Sequence, residues 1–102
     1  MPYYLYFLEC SNDTYYAGYT TDMARRFQEH QKGSLKCKYT RSFPPRKIAA
    51  CWVIHEDLSC VLKLERRLKQ LSALQKRELV HFPETLLTVV DMLHVNLSLF
   101  RD

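Results

Sequence analysis

No stretch of this sequence stays apolar for the ~20 residues that a bilayer-spanning helix needs, so membrane insertion is not indicated. Its opening MPYYLYFLEC has no basic region ahead of the apolar run, so export is not indicated either, and a cytoplasmic location is expected. The four cysteines, Cys10, Cys37, Cys51 and Cys60, include no C-x-x-C pair and no paired Cys/His spacing. A structural zinc site therefore has little support, and reduced thiols are the simpler reading. Internal repeats, low-complexity tracts and linkers are also missing. What is present, 102 residues with 47% hydrophobic and 25% charged, suits one globular domain with a single core. Residues 1–80 are expected to form its body, and residues 81–102 a helical extension packed on the same domain.

The net charge of +4 is modest, but its distribution is uneven. Residues 21–50 carry eight Lys/Arg against two acids, and residues 61–80 carry six against two, while the other segments are net acidic. Clustered cations are what a phosphate backbone requires, although solvated helix faces produce the same pattern.

Tyr3 to Cys10, then Ser11-Asn12-Asp13, then Thr14 to Thr20 reads as a β-hairpin. Its register decides which side chains share a face. A three-residue loop pairs Cys10 with Thr14, sets Gly18 opposite Tyr6 with open space above the ring, and puts Tyr6 and Tyr16 on one face. A two-residue loop would put the two tyrosines on opposite faces. Thr20, Thr21 and Asp22 offer N-cap chemistry for a helix that Gly33 ends, with Met23, Ala24 and Phe27 as its apolar side. Arg26 and His30, four apart, are neighbours on it. A basic connection from Ser34 to Pro45 leads to an apolar run, Lys47 to His55, that reads as a central buried strand. Helical spacing then covers Leu58 to Leu71, a turn or two from Ser72 to Val80, and the segment from Glu84 to Leu99.

Glu65 is the anomalous position. It lies about 65° from the middle of the stripe formed by Val61, Leu64, Leu68 and Leu71. A carboxylate at the edge of an apolar face needs an ion-pair partner, such as Arg66 or Lys69, or a hard cation whose shell is completed by water and phosphate oxygens. Tyr6 and Tyr16 are compatible with core packing. Their functional reading is that a phenol near a cation such as Arg26 falls below its ordinary pKa of about 10 and accepts a proton from water. Arg26 would also stabilise charge on phosphorus, unless it pairs with Asp22, and His30 would position water or protonate a leaving oxygen.

The order Tyr4-Leu5-Tyr6, Tyr16-Ala17-Gly18, Arg26-x-x-x-His30 and Glu65 on a later helix resembles the GIY-YIG nuclease superfamily, in its small single-domain bacterial branch, over about residues 3–80. The likeness extends through YLYFLECSNDTYYAGYTTDMARRFQEH and LERRLKQLSALQKRELV. It implies an α/β fold, a three-stranded antiparallel sheet flanked by helices, here with an additional C-terminal helix. It also implies a metal-dependent endonuclease using Mg²⁺ or Mn²⁺ to hydrolyse phosphodiester bonds, in DNA rather than RNA, branched or damaged DNA included. Carried over by position, Tyr16 is the general base, Tyr6 orients water or phosphate, Arg26 stabilises the transition state, His30 assists and Glu65 holds the metal. Arg25, Lys38 and Lys69, from the two basic segments, are the expected nucleic-acid contacts. Specificity is expected to be low, structural, or supplied by a protein partner. Many members carry an asparagine on a helix after the metal glutamate; here none occurs between Glu65 and Asn96, with Ser72 and Gln75 as candidate replacements. The alternative is a non-catalytic nucleic-acid-binding module of the same fold.

Overall fold

The computed structural model describes residues 2–34 and 37–86, together with the backbone of 97–99. Strands β1 (Tyr3–Cys10) and β2 (Tyr15–Thr20) form the hairpin with the three-residue loop. The Cys10 N–H donates to the Thr14 carbonyl at 2.8 Å, and the Asp13 N–H donates to the Cys10 carbonyl at 3.0 Å. Asp13 takes the left-handed backbone, φ 62°, that this loop requires and that a short polar residue tolerates. Tyr6 thereby faces Gly18, and Leu8 faces Tyr16.

Helix α1 (Met23–Lys32) starts at Asp22, whose carboxylate accepts from the Arg25 N–H at 3.1 Å, and stops at Gly33, φ 67°. Its inner face is Met23, Phe27 and His30, with spacings of four and three; Ala24, expected there, is exposed because one residue turns the helix by about 100°. The connection expected to run without regular structure from Ser34 to Pro45 contains a short helix α2 (Lys38–Ser42), anchored by the buried Thr40. Strand β3 (Pro45–Ile54) follows, then α3 (Leu58–Gln70), capped by Asp57, and α4 (Ala73–His81).

The sheet is antiparallel in the order β2-β1-β3-β4. Its first three strands are the three-stranded sheet expected; β1 lies between β2 and β3, and β3, an interior strand as expected, lies between β1 and β4. Alternation along β1 divides the interior in two. Leu5 and Phe7 pack with Trp52, Ile54, Val61, Leu64 and Leu68 under α3. Tyr6 and Leu8 pack with Met23 and Cys51 under α1.

The chain after α4 departs from expectation. Residues 84–86 are helical and residues 87–96 lie outside the described residues, but Leu97–Leu99 is a strand, β4, paired with Trp52, Val53 and Ile54. Leu-Ser-Leu satisfies the two-residue period of a strand as well as a helical stripe, and the outer edge of β3 supplies ladder partners that a helix would leave unpaired. The Trp52 indole N–H donates to the Pro83 carbonyl at 2.9 Å, tying the end of α4 to the sheet.

Candidate active site

Tyr6, Tyr16, Arg26, His30 and Glu65, scattered over sixty positions of sequence, line one cavity of about 360 Å³. The hairpin register supplies the tyrosines, one side of α1 supplies Arg26 and His30, and Glu65 arrives from the edge of the α3 stripe.

Tyr6 is almost wholly buried, 1% exposed, and its ring lies over Gly18. A Cβ at Gly18 would meet the Tyr6 hydroxyl at 2.5 Å, so the open space expected there is occupied by the phenol itself. The hydroxyl bonds His30 Nε2 at 3.1 Å, and His30 Nδ1 bonds the Thr40 hydroxyl at 2.9 Å. Both His30 and Thr40 are buried. Burial, helped by the Arg26 charge, lowers the His30 pKa to about 4, so the ring is neutral at pH 7. Burial raises the Tyr6 pKa, more than Arg26 opposes, so its phenol keeps its proton. A histidine with both nitrogens engaged in this way positions Tyr6.

Tyr16 is half-buried beside this chain, its ring edge-on to His30 with centroids 5.4 Å apart. Tyr39 stacks on it at 6.0 Å and 19°. Burial and the adjacent Cys37 raise the Tyr16 pKa. The expectation that a nearby arginine depresses the phenol pKa fails at Tyr6, where removing a phenolate from water outweighs the attraction of the Arg26 guanidinium, and at Tyr16 burial and its neighbours all act upward. Burial pushes the Cys37 thiol up as well, but hydrogen bonding from Tyr16 and from Thr40 outweighs it and leaves the thiol below its ordinary value.

Arg26 pairs with Glu29 at 3.4 Å rather than with Asp22, which caps α1 and lies 4.0 Å from Arg25. Arg26 Nε and Glu29 Oε1 are buried without a hydrogen bond in acceptable geometry. Glu65 has a side chain 15% exposed, and its Oε1 lies 3.3 Å from the Lys69 ammonium. The ion-pair reading of Glu65 is thus realised with Lys69, at the rim of the cavity.

The profile of the GIY-YIG catalytic domain matches residues 2–78. The chain belongs to the GIY-YIG family. Among its relatives are UPF0213 proteins from Syntrophus aciditrophicus, 40% identical over 76% of this chain and 87% of that protein, and from Cupriavidus necator, 47% identical over 74% and 79%. The solution NMR structure of a UPF0213 protein from Bacillus halodurans superposes with a TM-score of 0.52 and 36% identity, covering 80% of this chain and 85% of that one.

A GIY-YIG domain belongs to a nuclease family, and the donor set here suits a hard divalent ion. Among the described residues, Glu65 is the only carboxylate lining the cavity, phenol oxygens accompany it, and no group of three or more His, Cys, Asp or Glu that would hold an ion unaided occurs. That composition fits Mg²⁺ or Mn²⁺ held by one protein carboxylate, with water and phosphate oxygens filling the shell. Ser72 and Gln75, the candidate replacements for a later asparagine, do not line the cavity. They are bound to each other in a capping box at the start of α4, through contacts of 3.2 Å and 2.9 Å. Of the expected nucleic-acid contacts, Arg25 and Lys38 are exposed outside the cavity, and Lys69 stands at its edge. Cys37 and Thr40 were not singled out for the site by the sequence, because their link to it runs through α2, a five-residue helix with no apolar period to announce it.

Proposed function

We propose that this GIY-YIG chain is a metal-dependent endonuclease hydrolysing nucleic-acid phosphodiester bonds, DNA in particular. The observation that carries this reading is the gathering of two phenols, a guanidinium, a neutral imidazole and a lone carboxylate around one cavity. A divalent ion held by Glu65 supplies Lewis-acid polarisation of the phosphoryl oxygens. Tyr16, the more accessible phenol, takes the proton of the attacking water in its ionised form. Tyr6, fixed by His30 and Thr40, orients the water or a phosphate oxygen. Arg26 stabilises the charge that develops on phosphorus. Arg25, Lys38 and Lys69 attract the backbone from around the site.

The experiment is cleavage of single-stranded, duplex, flap and branched DNA in Mg²⁺ or Mn²⁺ by the wild type and by Glu65→Gln. Metal-dependent products from the wild type alone are expected, and no product from any substrate overturns the reading. The raised phenol pKa values and the Glu65–Lys69 pair favour one rival, a non-catalytic nucleic-acid-binding module, which predicts binding without cutting.

A further inference from the structure

A second concavity, about 430 Å³ in volume, shares Tyr16 with the candidate active site. The hairpin forms one wall through Thr14 and Tyr15, the start of α4 forms another through Lys76 and Arg77, and Tyr39 and Lys69 close the ends. Among the described residues it presents three cations, and its one acid, Asp13, is engaged by Arg46. The Tyr39 ring is held in place by its stack on Tyr16 and by hydrogen bonds of its hydroxyl with Thr14 and Asn12. Fixed aromatic surface beside clustered Lys and Arg is the combination that tracks an unpaired strand, with rings against bases and cations against phosphates. The volume is that of a small-molecule pocket and takes nucleotide units, whereas a duplex would have to lie outside it.

We propose that this second concavity binds a single strand of nucleic acid and leads it past Tyr16 to the candidate active site, with Lys76 and Arg77 holding phosphates and Tyr39 and Tyr15 lining the base side. The substrate would accordingly contain an unpaired segment. The proposal rests on the nucleolytic reading of the neighbouring cavity for its purpose, and on the second concavity alone for binding. Lys69 connects the two, because it reaches this groove and also pairs with Glu65.

The test is fluorescence anisotropy of a labelled deoxythymidine oligomer and of a matched duplex, with EDTA present so that nothing is cut. Wild type is compared with Lys76→Gln/Arg77→Gln and with a charge-matched control, Lys63→Gln/Arg67→Gln, whose positions on α3 are exposed and line neither cavity. Each lost phosphate contact lowers affinity roughly five-fold at 0.1 M salt and reduces the salt slope by about 0.7. The groove variant should therefore lose both for the single strand, while the control changes little. Circular dichroism confirms that each variant is folded. Equal losses in both variants, or duplex binding as tight and as strongly weakened as single-strand binding, would overturn the proposal. Intact strand binding by a wild type that cuts nothing overturns the nuclease reading and leaves the groove; cutting with unchanged strand binding in Lys76→Gln/Arg77→Gln does the reverse.

Discussion

The Tyr6 hydroxyl lies where the first side-chain atom of any other residue at position 18 would intrude, 2.5 Å from the Cβ that Gly18 lacks. The Gly18 backbone is not in the left-handed region, so close approach explains the glycine rather than a turn. Gly18→Ala should push Tyr6 off His30, cost about 1–3 kcal/mol as overpacking, and reduce DNA cleavage along with stability. Urea denaturation and cleavage assays on the same protein check both.

The two tyrosines should separate when each is changed to phenylalanine. Tyr16→Phe should retain full stability and lose about 10²- to 10⁴-fold in turnover, the range for a lost proton acceptor. Tyr6→Phe leaves buried His30 Nε2 without its hydrogen-bond partner and should cost about 1–3 kcal/mol in addition to any loss of rate. Because burial raises the Tyr16 pKa above its ordinary value of about 10, wild-type cleavage should still be rising with pH at the alkaline end of the stable range. A rate profile in Mg²⁺ that levels off near neutral pH would remove Tyr16 as the base.

His30 gives stability its own pH dependence. Its pKa is about 6.5 in an unfolded chain and about 4 in the folded one, so between these values the unfolded chain holds a proton that the folded chain does not. The contribution of neutral His30 is complete above about pH 6.5 and is lost as pH falls toward 4. The stability advantage of wild type over His30→Gln should accordingly shrink between pH 7 and pH 4.5. Paired urea titrations measure it, and an advantage that grows on acidification would contradict the buried, neutral imidazole.

If Glu65 holds a divalent ion as proposed, Lys69, its ion-pair partner, would compete with that ion. Removing the competitor with Lys69→Met should tighten Mn²⁺ binding, measured by electron paramagnetic resonance without substrate, whereas Glu65→Gln should abolish it. The same Lys69→Met protein should bind nucleic acid less tightly, so the two functions of this side chain move in opposite directions.

The hairpin, α1 and α3 were legible in the sequence because each rests on a local rule. The Ser-Asn-Asp loop announced a hairpin but left two registers open, between which the left-handed Asp13 of the structure decides, while Asp22 and Gly33 bounded a helix and Glu65 stood out against the stripe of Val61, Leu64 and Leu68. The state of the site was less legible. Whether Arg26 lowers a phenol pKa depends on how much water the fold removes, which no spacing reveals, and there burial prevailed. Thr40 acquires its place only through the fold, which brings α2 over α1. Leu97–Leu99 misled for a different reason: three residues with alternating character satisfy two periods at once, and the choice belonged to the open edge of β3.

That edge bears on how the protein behaves in concentrated solution. Among the described residues, β4 covers β3 only at Trp52, Val53 and Ile54, and the remainder of the outer side carries Pro45, Arg46 and Lys47 at its far end. A proline that cannot donate and the exposed Lys47 cation discourage strand-to-strand growth between molecules. The short strand therefore guards the most apolar portion of an edge whose other end is protected by charge. Shortening the chain before residue 97 should make the protein prone to self-association and precipitation, visible by light scattering.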